Sequence, residues 1–458
     1  LLLGFTAPAQ STLVRRFFEP TFGTTTRILP SSDNGWIVFS PDSLKVAKFS
    51  SCGRNEWNRH YHFPDVSYVP GLNDIITTAG GGYAFMTRVT VGTAIGITDA
   101  TLIVNLDAAG NVLWSKIHHE ASYDQYPYTL RQDPQGNFVL FGNKSNIGGN
   151  TLNFISKISP AGTLLWSRHY SLGVIWGGAL LTSDGGILAR TGSRFIKTDA
   201  SGIVQWTSKV NSPDDHHYLE PVEVADGYVF TSAGANMRAI NFFKIDRQGR
   251  LLWPHRKRTS FTGQPPHLRL KPNGNLVAIF NKDIHGITYP TIVEFDPDIN
   301  LVRQRTLVLP QPGIPLTATD LALAPNGSTL LTARVERALN GDFIFARTDS
   351  TFRFDCDTLL PGMSVTLEPV TQEFINVSSS PTSFTIIPAT PTTRSFTLRP
   401  TTICAQLPSL ELGSDTLLCP GTPLTLRNRL PGTFDRYLWS TGATSPSLRV
   451  TRSGTYWL

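Results

Sequence analysis

Along the first three-quarters of the chain, short apolar runs alternate with clusters of Gly, Asn and Asp. That pattern fits many strands joined by tight turns and offers little to long amphipathic helices. One element, a turn followed at once by an apolar strand, recurs seven times. It reads Asp33-Asn34-Gly35-Trp36-Ile37-Val38, Gly81-Gly82-Tyr83-Ala84-Phe85 and Pro134-Gln135-Gly136-Asn137-Phe138-Val139-Leu140, then again from Ser183, Ala225, Lys271 and Pro325. Turns of the Asn-Gly and Asp-Gly kind need positive φ, so each copy predicts a hairpin.

A second element lies between successive copies of the first. It runs Lys or Asn, an apolar residue or Thr, Asp or Ser, two variable residues, Gly, three more positions, then Trp. The strict copies are Lys48 to Trp57, Asn105 to Trp114, Lys157 to Trp166, Lys197 to Trp206 and Lys244 to Trp253. Two degenerate copies begin at Glu294-Phe295-Asp296 and Arg347-Thr348-Asp349; they lack both Gly and Trp, and register puts Arg303 and Cys356 at the Trp position. The Asp or Ser can hydrogen-bond the turn backbone, Gly supplies a left-handed position, and Trp ends the hairpin with a large apolar surface. Each period therefore holds two hairpins, or four strands.

A lone four-stranded sheet leaves both faces wet, and stacking such sheets around an axis buries them. The expected fold is all-β, a seven-bladed β-propeller over residues 11–355. An open solenoid or stacked sandwiches are the alternatives. Leu13-Val14-Arg15-Arg16-Phe17-Phe18 is similar to the strands that follow the anchors, and is expected to close the ring by completing the last blade. The Asp-x-x-Gly-x-x-x-Trp hairpin resembles the tryptophan-docking repeat of quinoprotein-type propellers and, more loosely, the Asp-box of sialidases. Both are scaffold devices, so the resemblance implies architecture and leaves the activity open.

After Cys356 the composition shifts to Thr, Ser and Pro, as in Ser378-Ser379-Ser380-Pro381-Thr382. Residues 356–408 are expected to form a small extended β-module or linker clipped by a Cys356–Cys404 disulfide, with a mucin-like stalk as the alternative. Cys52 and Cys419 have no obvious mates. Residues 409–458 read as an incomplete immunoglobulin-like sandwich, with Trp439 at its centre and Cys419 before a Pro-Gly turn. The string from Leu412-Gly413-Ser414-Asp415 through Tyr437-Leu438-Trp439-Ser440 to Gly454-Thr455-Tyr456-Trp457 is similar to the Ig-like (PKD-like) repeats of surface proteins exported by the type IX secretion system. That resemblance implies display at the cell surface and carries no catalytic motif.

Composition narrows the function classes. The 458 residues include 38 Gly, 32 Pro, 3 Met and only 16% charged residues. The net charge of +6 is dispersed. Its one basic run, His255-Arg256-Lys257-Arg258, is too short for the continuous basic face that phosphate binding needs, so no nucleic-acid partner is expected. Residues 1–9 read as the end of a secretory signal peptide, an apolar run followed by Ala7-Pro8-Ala9. No run of about 18 apolar residues follows, so no transmembrane segment is expected.

Nine of the ten histidines fall within about fifteen residues after an anchor. Two clusters are richest: His118, His119 and Glu120 with Tyr123 and Asp124, and Asp214, Asp215, His216, His217 and Tyr218 with Glu220. Imidazole, carboxylate and phenol together suit a ligand-contacting face. No nucleophile elbow, phosphate loop, zinc spacing or His-Glu-x-x-His is present, so neither a catalytic residue nor a metal or other cofactor is assigned. The expectation is a secreted or cell-surface binding protein whose partner is a glycan or other cell-surface polymer. The alternative is an extracellular glycosidase or polysaccharide lyase using the same loops. The oligomeric state is left open.

Overall fold

The structure is a computed structural model. It describes residues 13–18, 26–402 apart from short stretches (among them 52, 173–176, 212–216, 219–220, 234–238, 261–267, 309–314, 336–341, 354–356 and 359–364), and 423–427, 439–445, 447–452 and 456. The described elements are strands and one 3-10 turn at Pro41–Ser43. Seven antiparallel sheets follow one another along the chain as blades. Blade 1 runs from an innermost strand Arg27–Pro30 to an outer strand Asn55–His62, and blade 2 from Ser67–Thr77 to Val112–His119. Blade 3 runs from Tyr123–Gln132 to Leu164–Tyr170, and blade 4 from Gly177–Leu181 to Val204–Asn211. Blade 5 runs from His217–Tyr218 and Val222–Val224 to His255–Thr259, and blade 6 from Leu268–Leu270 to Leu301–Leu307.

Blade 7 has three consecutive strands, Leu316–Leu323, Thr329–Val335 and Asp342–Arg347, and takes its fourth from the other end of the chain. Leu13–Phe18 pairs antiparallel with Asp342–Arg347, from Leu13 opposite Arg347 to Phe18 opposite Asp342. The expected ring closure is therefore present.

The core is divided among the blade interfaces. Each of seven apolar clusters joins residues of two neighbouring blades, for example Ile37, Phe39 and Val46 of blade 1 with Phe85, Leu102 and Val104 of blade 2. The seventh interface, which joins the two ends of the ring, is rich in aromatic rings: Trp36 stacks on Phe345 at 4.3 Å between ring centroids.

The anchor hairpins dock each blade onto the next. Asp107 accepts hydrogen bonds from the Ala109 and Asn111 amides, and Asp199 and Asp246 repeat the arrangement. A Cβ on Gly110, whose φ is +78°, would fall 2.8 Å from the Trp57 ring of the preceding blade. The Trp114 and Trp206 indoles donate to the Pro160 and Arg247 carbonyls of the following blade, at 2.8 and 3.0 Å.

The degenerate copies keep this backbone without its residues. Ile299 and Phe352 stand where Gly would, at φ of +60° and +67°. Left-handed backbone costs such residues about 1–2 kcal/mol each. Both side chains are buried in interblade clusters, which offsets the strain. At the sixth anchor the Arg303 guanidinium covers the Phe352 ring at 5.8 Å, so bulk and its partner have exchanged places. The first hairpin also departs from expectation. Asn34 holds the positive φ of +63°, and Gly35 is needed because a Cβ there would lie 2.2 Å from the Phe49 carbonyl oxygen.

The Thr/Ser/Pro-rich segment differs most from its sequence reading. Instead of gathering into a module of its own, it travels back around the outside of the ring and adds a fifth strand to every blade. Asp357–Thr358 pairs with blade 6, Val365–Pro369 with blade 5, Thr371–Glu373 with blade 4, and Ser379–Pro381 with blade 3. Thr385–Pro388 then pairs with blade 2, Thr392–Arg394 with blade 1, and Arg399–Thr402 with the closing strand of blade 7. The outer strand of a blade has unpaired N–H and C=O groups along one edge, and this belt satisfies them. Phe384 and Leu398, on the links between belt strands, enter the grooves between blades.

Beyond the belt, Leu424–Arg427 pairs antiparallel with Ser447–Val450. The Trp439 ring is buried and its N–H donates to the Ser445 carbonyl at 2.8 Å. Cys52, Cys356, Cys404 and Cys419 lie outside the described residues, as do residues 1–9 and most of 403–438.

Candidate functional site

The innermost strands alternate, one face to the core and one to the axis. Ile28, Ile75, Leu130, Leu268 and Leu321 are buried between blades. Their neighbours Arg27, Asp74, Arg131, Arg269 and Asp320 line a cavity of about 710 Å³. The same cavity reaches Thr78, Ala79 and Pro134, in or beside the turns between first and second strands. It therefore belongs to the turn end of the ring.

Asp133 is held within blade 3 by Lys157 at 2.8 Å and by the Gln135 and Asn137 amides, while the other two carboxylates of the wall tie blades together. Asp74 accepts from the Leu130 amide at 3.0 Å and from the Arg131 guanidinium at 2.7 Å, joining blades 2 and 3. Asp320 accepts from the Ile28 amide at 3.0 Å across the closure, and Arg269 and Arg27 approach it at 3.5 and 4.0 Å. Thr129 takes the same part toward the Ala179 amide at 3.1 Å. Three guanidiniums thus share the wall with three carboxylates, Asp74, Asp133 and Asp320. The Asp320 side chain is only 3% exposed, whereas Arg27, Arg131 and Arg269 are 28%, 25% and 31% exposed. Each guanidinium has five N–H donors in a fixed fork suited to planar anions. The arrangement places fork-shaped N–H donors beside carboxylates that already have partners within the scaffold.

The histidines of the first predicted cluster serve the scaffold. His118 and His119 end the outer strand of blade 2 and are buried, and belt residues Ile386 and Thr385 pair opposite them. Burial, with Lys116 nearby, pulls the His118 pKa down from 6.5 to about 4. The His119 Nε2 lies 3.0 Å from the Thr98 hydroxyl. The Tyr123 ring lies under the Lys144 ammonium at 4.6 Å, and that ammonium is held by Glu120 at 2.6 Å and by the belt residue Thr382 at 3.0 Å. His118 and His119 are 1% and 7% exposed, whereas Tyr123 is half-buried. Asp214, Asp215 and His216 lie outside the described residues. His217–Tyr218 forms a short strand in blade 5 opposite Ala233 and Ser232. Among the described residues no group of three His, Cys, Asp or Glu is placed to hold a metal ion.

The His118 environment predicts acid sensitivity. An unfolded His118 takes up its proton below about pH 6.5, the folded one only near 4, so stability falls as pH drops through that window. The loss is at most roughly 3 kcal/mol. His118→Leu should flatten that part of the stability curve, measured as guanidinium midpoints between pH 7 and 4. Parallel curves for the two proteins would show that the imidazole is not the sensor.

The cavity-lining Arg27, Arg131 and Arg269 are not among the residues expected from the His and Tyr clusters. A signal existed: in Arg27-Ile28-Leu29, Asp74-Ile75-Ile76, Leu130-Arg131-Gln132 and Leu268-Arg269-Leu270, one charge interrupts an apolar strand just before a turn.

No family model and no curated protein matches the sequence. Among solved structures, a virginiamycin B lyase from Staphylococcus aureus is similar at 11% identity and TM-score 0.43, over 74% of this chain and all of that one. A protein of unknown function from Bacteroides caccae is similar at 14% identity and TM-score 0.34, over 64% of this chain and 93% of that one. The extracellular domain of a one-component system protein from B. thetaiotaomicron is similar at 10% identity and TM-score 0.33, over 74% of this chain and 54% of that one. At these scores the likeness has no functional weight. Among the described residues no helix is long and apolar enough to cross a membrane.

Proposed function

We propose that this chain is an extracellular binding protein, without catalysis, whose propeller holds an acidic glycan at the axial cavity. The observation that supports this is the convergence of Arg27, Arg131 and Arg269 on one cavity whose three carboxylates, Asp74, Asp133 and Asp320, are already engaged. Uronate carboxylates or sulfate esters are planar or forked anions that guanidinium recognises bidentately. The Ig-like (PKD-like) reading of residues 409–458 and the type IX export it implies fit a propeller displayed at the cell surface on such modules.

The test is binding of the purified protein to polygalacturonate, with neutral dextran as control. Binding should weaken with salt, and the double variant Arg131→Gln plus Arg269→Gln should reduce affinity at least tenfold (about 1.4 kcal/mol). An unchanged affinity in that variant, or no binding to the acidic polymer, would remove the axial site from the account. Release of cleaved oligosaccharide would instead establish the glycosidase or lyase reading.

A further inference from the structure

We propose that a Cys356–Cys404 disulfide turns the belt into a covalent ring that encircles the propeller. The argument comes from the path of the described belt strands. All seven run antiparallel to the outer strand of their blade, each entering opposite its C-terminal end and leaving toward its N-terminal end. Val365 lies opposite Thr259 and Pro369 opposite His255; Thr385 lies opposite His119 and Pro388 opposite Lys116. The belt visits the blades in the order 6, 5, 4, 3, 2, 1, 7. The blade after 7 in that sense is 6, where the belt began.

Six links carry the belt from one blade to the next. They hold from one residue, between Pro369 and Thr371, to six, between Thr358 and Val365; two of them hold three. A seventh link, from Thr402 on blade 7 to Asp357 on blade 6, would have the same sense as the other six. Ile403, Cys404 and Cys356 are the residues that covalent adjacency supplies to it. With a disulfide between the two cysteines, that link has three residues and a reach of about 17 Å, against about 15 Å for a three-residue peptide link. Cysteine thus stands one residue before the belt's first strand and two residues after its last.

A ring has no ends from which to fray. An open belt peels from Asp357–Thr358 and from Arg399–Thr402, and the second end covers the closing strand Leu13–Phe18. A closed belt denies both exits, so the closing strand Leu13–Phe18 is held under a loop without a terminus.

The experiment has two readouts on the intact chain. Peptide mapping without reduction should recover the peptides containing Cys356 and Cys404 as one cross-linked species. Native-state hydrogen exchange of the Cys356→Ser plus Cys404→Ser variant, and of wild-type protein reduced without denaturant, should then be compared with the oxidised protein. Amides of 357–358, 399–402 and 13–18 are expected to exchange at least tenfold faster once the bond is gone, with 379–381, at the middle of the belt, unchanged. The reduced wild type keeps the test available if the variant does not fold. Pairing of either cysteine with Cys52 or Cys419, a free thiol at 356 or 404, or equal exchange at the belt ends would overturn the proposal.

Discussion

Replacing Phe17 by Ala is expected to lower the free energy of unfolding by about 3–5 kcal/mol. Phe17 belongs to the strand Leu13–Phe18 that completes blade 7, and its side chain is 2% exposed. Its ring stacks on Phe343 at 5.5 Å and meets Phe49 of blade 1 at 5.1 Å. Removing it opens a cavity at the one interface where the two ends of the ring are joined. The aromatic packing around it, Trp36 on Phe345 among others, is too rigid to collapse into the space. Guanidinium unfolding of Phe17→Ala against wild type measures the effect, with Phe17→Leu losing much less because most of the volume stays. A cost below about 1 kcal/mol for Phe17→Ala would mean that the closing strand lies outside the cooperative core.

The second large effect is expected at Glu120. The Lys144 side chain is 1% exposed, and its ammonium sits between the Glu120 oxygens at 2.6 and 2.7 Å with Thr382 at 3.0 Å. Burial draws the Lys144 pKa down, and Glu120 opposes that shift. Glu120→Ala would leave a cation in a dry setting with a hydroxyl and an aromatic face as its remaining contacts, at a cost of about 3–5 kcal/mol. Adding Lys144→Met removes the stranded charge and keeps most of the volume, so the double variant should recover to within about 1 kcal/mol of wild type. Unfolding midpoints of the three proteins decide it. A double variant less stable than Glu120→Ala would show that the loss comes from packing and not from the orphaned charge. Because Thr382 is on the belt and also donates to Glu120 at 2.9 Å, the same substitution should loosen the belt at blade 3.

The blade count, the hairpins and the ring closure were legible in the linear pattern, because each depends on local chemistry. A turn that needs positive φ restricts its residues wherever it occurs, and an apolar strand advertises burial without reference to its partner. Even the degenerate sixth and seventh copies were placed correctly, since Asp296 and Asp349 keep the turn that Ile299 and Phe352 fill under strain.

Three features were decided only by tertiary structure. The course of 357–402 depends on backbone groups at the blade edges, which pair with any short extended strand and so leave no mark in either partner's residue types. The burial of His118, His119 and Lys144 depends on what the belt covers, and the strand opposite the two histidines arrives from more than 250 residues away along the chain. The axial cavity gathers residues from all seven blades, so Arg27, Arg131 and Arg269 come to one wall only when the ring closes. Sequence order encodes contacts that a turn can make; convergence on an axis is a property of the assembled circle.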